Sequence, residues 1–181
     1  MSVLIFLADG FEETEALCPL DVLRRAGVDV ITAGIGGREI RSSHGVVIKA
    51  DALLDDIAED GYDAVFCPGG MPGAENIASS EKAVRICINA SKHSLISAIC
   101  ASPAVVLGPA GILDGKKATC YPSCASYSPS IDFLPDGVVR DGNVLTGKSA
   151  GWAFDLGLEL VSMLKGRDKA ESVRSSIYYK D

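Results

Sequence analysis

The sequence predicts a doubly wound α/β domain, and three observations carry that prediction. Short apolar runs that do not alternate recur along the chain, stretches with helical spacing separate them, and turns of glycine or small residues follow several runs. Strands and helices alternating at this length imply right-handed crossovers and a mostly parallel sheet covered on both faces. Residues 3–8 (VLIFLA) are the first such run, apolar throughout as a strand buried on both faces requires. Residues 13–26 place Leu17, Leu20 and Leu23 at spacing three, with Arg24 and Arg25 before Gly27 as a helix stop. Pro19 sits awkwardly inside that helix, since a mid-helix proline costs about 3 kcal/mol, and a kink is expected there. Residues 28–33, 64–68 and 95–100 read as further buried strands. Residues 81–92 form a helix with Val84 and Ile88 on one face, and residues 151–164 form another with Phe154, Leu158 and Val161.

Two regions break the alternation. Residues 38–48 carry a Ser-His-Gly turn between short β-type segments. Residues 119–141 are rich in Ser, Pro and Cys, and Gly142-Asn143 then joins 138–140 to 144–146 as a small edge hairpin.

The chain has 181 residues, which at about 150 residues per domain predicts one domain over 1–181. Its core needs no metal or disulfide at that size. A net charge of −7 with 17 Lys and Arg makes it a poor polyanion binder, so nucleic acid is not an expected partner. No run approaches the length that spans a bilayer, and residues 3–8 lack the basic flank of a secretory signal. Six spread cysteines read as reduced thiols, and the expected location is the cytoplasm.

In open α/β sheets ligands sit outside the carboxyl ends of the strands. After the first strand comes Asp9-Gly10-Phe11-Glu12-Glu13-Thr14-Glu15. Acids at a helix start complement the helix dipole, which accounts for Glu12 and Glu13, while Glu15 is left open. After the strand at 64–68 comes Gly69-Gly70, either a tight turn or a source of backbone N–H groups for an oxyanion. Neither the dinucleotide fingerprint nor the P-loop matches, and no cofactor is expected. The sharpest segment is Ser97-Ala98-Ile99-Cys100-Ala101-Ser102-Pro103. A strand runs into Cys100 and a helix begins at Ser102-Pro103, which resembles a nucleophile elbow with a cysteine in it. Helix N-terminal amides there are expected to lower the thiol pKa from its free value of about 8.5. The competing reading is an inert buried cysteine.

ADGFEETEA at 8–16, CPGGMPGAEN at 67–76 and SAICASP at 97–103, in this order and with TGKSAGWAFDLGLELV at 146–161, resemble the ThiJ/PfpI superfamily. Within it the resemblance is to the branch of the Parkinson-disease-associated protein deglycase and its bacterial homologues. The resemblance implies a flavodoxin-like three-layer sandwich, a homodimer, and an elbow cysteine facing a glutamate of the first helix. Those positions match Cys100 and Glu15. It implies that the glutamate is protonated against a thiolate, with backbone amides matching Gly70 and Ala101, and Gly69 shaping the turn.

Tyr121 stands before Pro122 where several relatives carry histidine, which puts a Cys-His dyad in doubt because a phenol is no neutral-pH base. Tyr121 and Cys120 are expected at the mouth of the site. Cys120 is either an unrelated loop thiol or a resolving partner for oxidised Cys100. Cys120 and Cys124 lack the further ligands that zinc needs, and no metal is expected. His44 and His93 read as surface residues. The implied activity is a cysteine-dependent, cofactor-independent glyoxalase or deglycase acting on small 2-oxoaldehydes such as methylglyoxal, or on glycated adducts. The alternative is a redox-responsive stress protein or chaperone whose cysteine is oxidised. A cysteine peptidase is weaker, with no histidine beside the elbow.

Overall fold

In the computed structural model, which describes residues 1–180, seven strands form one sheet flanked by helices, the flavodoxin-like arrangement. The strands are β1 (Ser2–Leu7), β2 (Asp29–Gly34), β5 (Ala52–Leu53), β6 (Ala64–Cys67), β7 (Leu95–Ile99), β8 (Val138–Asp141) and β9 (Val144–Gly147). Their spatial order is β5-β2-β1-β6-β7-β9-β8, parallel except for the antiparallel edge pair β8–β9. The expected edge hairpin is thus present, with β9 also pairing in parallel with β7. A separate antiparallel ribbon, β3 (Glu39–Arg41) and β4 (Val47–Lys49), accounts for the break at 38–48.

The helices are α1 (Glu13–Arg25), α2 (Gly73–Ser79), α3 (Glu81–His93), α4 (Ala153–Lys165) and α5 (Arg167–Ser176). Side chains alternate across the sheet, as period two dictates. Val3, Ile5, Leu7 and Phe66 join a core with Leu23 of α1 and Leu160 of α4, while Leu4, Phe6, Val65 and Ile96 join Ile86 of α3 on the other face. Each fully buried Leu, Ile or Phe contributes roughly 1.5–3 kcal/mol over its exposed state, which is why these strands carry no polar alternation.

Helix α1 runs unbroken through Pro19, which lies against Gly157 of α4. Packing of α1 on α4, with the proline ring buried, offsets the cost of the absent N–H. The helix expected after Ser102 is reduced to one wide turn, Pro103–Leu107, buried along its whole length. No helix among the described residues is long and apolar enough to cross a membrane.

Candidate active site

Strands β1, β6 and β7 are adjacent and parallel, so their carboxyl ends lie side by side. Three turns therefore converge: the entry to α1, the Pro68–Gly70 turn after β6, and the Cys100 elbow after β7. They are stitched together. Glu12 donates its backbone N–H to the Gly69 carbonyl at 2.9 Å, and the buried Ser102 hydroxyl donates to the Pro68 carbonyl.

Cys100 has φ +64, a conformation rare for a residue with a Cβ. Its N–H is held by the Gly147 carbonyl at 2.9 Å, and its carbonyl accepts from the Tyr121 N–H at 2.8 Å. The surroundings thus fix a strained backbone at the point where the sulfur is presented, and such strain concentrates at functional positions. The N–H groups of Gly70 and Ala101 point at that sulfur.

Glu15, in the first turn of α1, is 1% exposed. Its backbone N–H is capped by the Glu12 carboxylate at 2.7 Å. Its own carboxyl receives the Gly69 N–H at 3.1 Å and the Ala150 N–H, and is hydrogen-bonded to Cys100. The structure thus brings together Glu15, Gly69, Gly70, Cys100 and Ala101. Glu12, Ala150 and Ser102 are supporting residues that the sequence did not single out as such. Ala150 could not have been found, because only its backbone takes part.

Gly69 has no room for a side chain: a Cβ there would overlap the Glu15 carboxylate and come within 2.6 Å of the Cys100 Cβ. Gly70 has φ +89, and a Cβ on it would collide with the backbone of Gly10, Phe11 and Glu12. Gly69→Ala is therefore expected to push Glu15 away from Cys100. A downward shift of the Cys100 thiol pKa, read from the pH dependence of its alkylation with far-UV circular dichroism retained, is the measurement that checks it.

Burial raises the Glu15 carboxyl, and the Glu12 charge adds to that, while the Cys100, Gly69 and Ala150 hydrogen bonds pull it down; the result is about 7. The raised carboxyl agrees with expectation. The lowered thiol does not. Burial, the Glu15 charge and the hydrogen bond to Glu15 push the Cys100 thiol up, against the smaller downward pull of the Gly70 and Ala101 amides. The amides alone favour the thiolate, and burial together with an ionised Glu15 outweighs them. The two acids form one unit that sheds a first proton near neutrality and a second only at much higher pH.

Tyr121 is 45% exposed and tied to Cys100 through its backbone. Cys120 is buried with Cys124, Ala101, Ala104 and Val105, its thiol turned to the Tyr121 carbonyl at 3.4 Å. His44 is exposed and bonded to Glu13 at 3.1 Å, and His93 is exposed. Among the described residues, Glu12, Glu13 and His44 form the one group whose spacing could hold a metal ion, their ligand atoms lying within 4.8 Å of one another. All three already have partners, since Glu12 caps α1 and Glu13 pairs with His44.

The description of a family model matches residues 1–163: the DJ-1/PfpI family. The chain belongs to the DJ-1/PfpI family. It is 40% identical over 169 residues to a DJ-1 homologue B of Arabidopsis thaliana, covering 92% of this chain and 39% of that protein. The chain thus spans about two fifths of the length of that plant relative. It is 31% identical to a deglycase of Pyrococcus abyssi over 91% of this chain and all of that one. The solved structure of oxidised Toxoplasma gondii DJ-1 superposes with a TM-score of 0.95 at 34% identity, covering 99% of both chains. The mostly parallel sheet and its flanking helices are thus the DJ-1 fold.

Proposed function

We propose that this DJ-1/PfpI protein is a cysteine-dependent, cofactor-independent glyoxalase or deglycase acting on 2-oxoaldehydes such as methylglyoxal, or on their adducts. The observation that supports this reading is the buried Glu15 carboxyl hydrogen-bonded to the Cys100 thiol, with a pKa of about 7. A base poised near neutrality is what removal of a thiol proton requires. As the Cys100 sulfur adds to the aldehyde carbon, Glu15 takes the thiol proton, and the new oxyanion meets the Gly70 and Ala101 N–H groups. The oxyanion is protonated, giving a hemithioacetal. Glu15 then moves the proton from the former aldehyde carbon to the neighbouring carbon, while the hemithioacetal hydroxyl gives up its proton to the neighbouring carbonyl oxygen, to leave a 2-hydroxy thioester. Water cleaves the thioester, releasing the 2-hydroxy acid and the Cys100 thiol. No glutathione is consumed, because the chain supplies the thiol.

The test is incubation of the purified protein with methylglyoxal in the presence of EDTA and without glutathione. Catalytic formation of lactate, with a Cys100-linked adduct trapped on acid quench and mapped by mass spectrometry, is the expected result. Stoichiometric adduct without turnover would discard the reading.

The half-buried position of Cys100 favours a second reading, an oxidation-responsive protein in which peroxide converts the sulfur to sulfenic and then sulfinic acid. Selective oxidation of Cys100 by peroxide together with negligible turnover would support it. No histidine bonds to Cys100, which leaves a peptidase without its usual base.

A further inference from the structure

The carboxyl ends of the strands hold the candidate active site, but a ligand-sized cavity lies at the opposite end of the sheet. It occupies about 320 Å³ where β6 and β7 begin, between the loop preceding β6 and the last turns of α3. That volume falls in the range of small-molecule pockets. None of its lining residues belongs to the machinery around Cys100.

Its floor is apolar and rigid. Val65 and Ile86 are 1% exposed and Ala90 6%, all three belonging to the core between the sheet and α3, with the Tyr62 ring packed against them. The rim is acidic. Glu59 is bonded to Arg85 at 2.8 and 3.1 Å and is neutralised. Among the described residues Asp60 makes no ion pair, and burial, with the Asp60 charge adding to it, pushes the Tyr62 phenol up. Asp63 accepts the Ser2 N–H at 2.7 Å through Oδ2, which also lies 3.9 Å from the N-terminal ammonium of Met1, and Asn89 of α3 lines the cavity. His93 and Ser94 close the far side, from which the cavity opens into a trough bounded by Lys92 and Asn143.

We propose that this cavity is a second ligand site and that it takes a compact organic amine: a protonated nitrogen joined to a small hydrocarbon or aromatic body. The apolar floor accepts the body. The Asp60 carboxylate and the Asn89 carbonyl oxygen accept hydrogen bonds from the ammonium, and the Tyr62 ring offers it a π-face. An organic anion of the same shape would bring its charge against Asp60, so the site discriminates by sign of charge. The inference does not depend on the chemistry assigned to Cys100.

Calorimetric titration with 2-phenylethylamine, and with phenylacetate as the anionic counterpart, tests it. The amine is expected to bind one to one with a Kd on the order of 1 mM or tighter, and phenylacetate is expected not to bind. Asp60→Asn, at an exposed rim position, should weaken the amine at least about tenfold. Ala90→Leu, which fills the cavity from a helix position, should abolish binding. Circular dichroism shows whether the leucine variant is folded; if it is not, Asp60→Asn decides alone. Equal binding of amine and acid, no binding of the amine, or an affinity unchanged by Asp60→Asn would overturn the proposal.

Discussion

Cys100→Ser is expected to abolish conversion of methylglyoxal to lactate, lowering kcat/KM at least about 10³-fold. The reason lies in the proton, not the shape. Serine keeps a Cβ at φ +64 and still receives the Gly70 and Ala101 amides, so the elbow is preserved. A hydroxyl, however, holds its proton far more tightly than a thiol, and a base with a pKa of about 7 cannot take it at neutral pH. An alkoxide is also a poorer leaving group than a thiolate when water must cleave the acyl intermediate. Lactate assays across pH, with circular dichroism to verify the fold, check the outcome. Retained turnover in the serine variant would remove Cys100 from the mechanism.

Glu15→Gln should lower kcat/KM at neutral pH by about 10²–10⁴-fold and change the shape of the pH profile. In the wild type the pair sheds its first proton near pH 7, so the rate rises as pH climbs through that value. Glutamine can still accept the Gly69 N–H and donate to the sulfur, but it has no proton to lose. The inflection should then move up into the range of an isolated buried thiol. Stability moves the other way. The folded carboxyl titrates at about 7 against 4.5 for the free group, and Glu15 is 1% exposed. The stability associated with its neutral form is complete below the unfolded value and is lost as pH rises through the folded one. With each pKa unit equivalent to about 1.4 kcal/mol, the wild type gives up roughly 3 kcal/mol between about pH 4.5 and pH 8. The glutamine variant gives up nothing at this position. Its melting temperature should therefore exceed that of the wild type at pH 8, and the gap should close as the solution is acidified to pH 4.5. A gap independent of pH would show that Glu15 is not the ionising group.

Much of this arrangement is written locally. The apolar runs that became β1, β2, β6 and β7, and the periodic faces of α1, α3 and α4, stand within two residues of their expected bounds because burial on two faces leaves an unbroken apolar signal. Helix α5 was silent for the opposite reason. Of its ten residues only Ala170 and Val173 are buried, so one narrow stripe on α4 is all it covers. Helix α2 is seven residues long and opens on glycine, too short for periodicity to register. At the site, the elbow was legible as strand, small residues, then Ser-Pro. The meeting of Glu15 with Cys100 was not, since nothing in local spacing says which residue 85 positions away will touch the sulfur; it entered through resemblance to a family. The direction of the thiol's shift is equally non-local, because it depends on burial in the assembled fold and on a charge contributed by a distant helix.

That remoteness has a consequence for the newly made chain. Residues near positions 15, 70 and 100 come into register only once β1, β6 and β7 lie side by side, and until then each thiol and carboxyl behaves as it would in a short peptide. Until those strands align, the polypeptide therefore carries no paired thiol and carboxyl. The Glu15–Cys100 pair forms when β7 docks beside β6, and its presence is itself a report that the middle of the sheet has assembled.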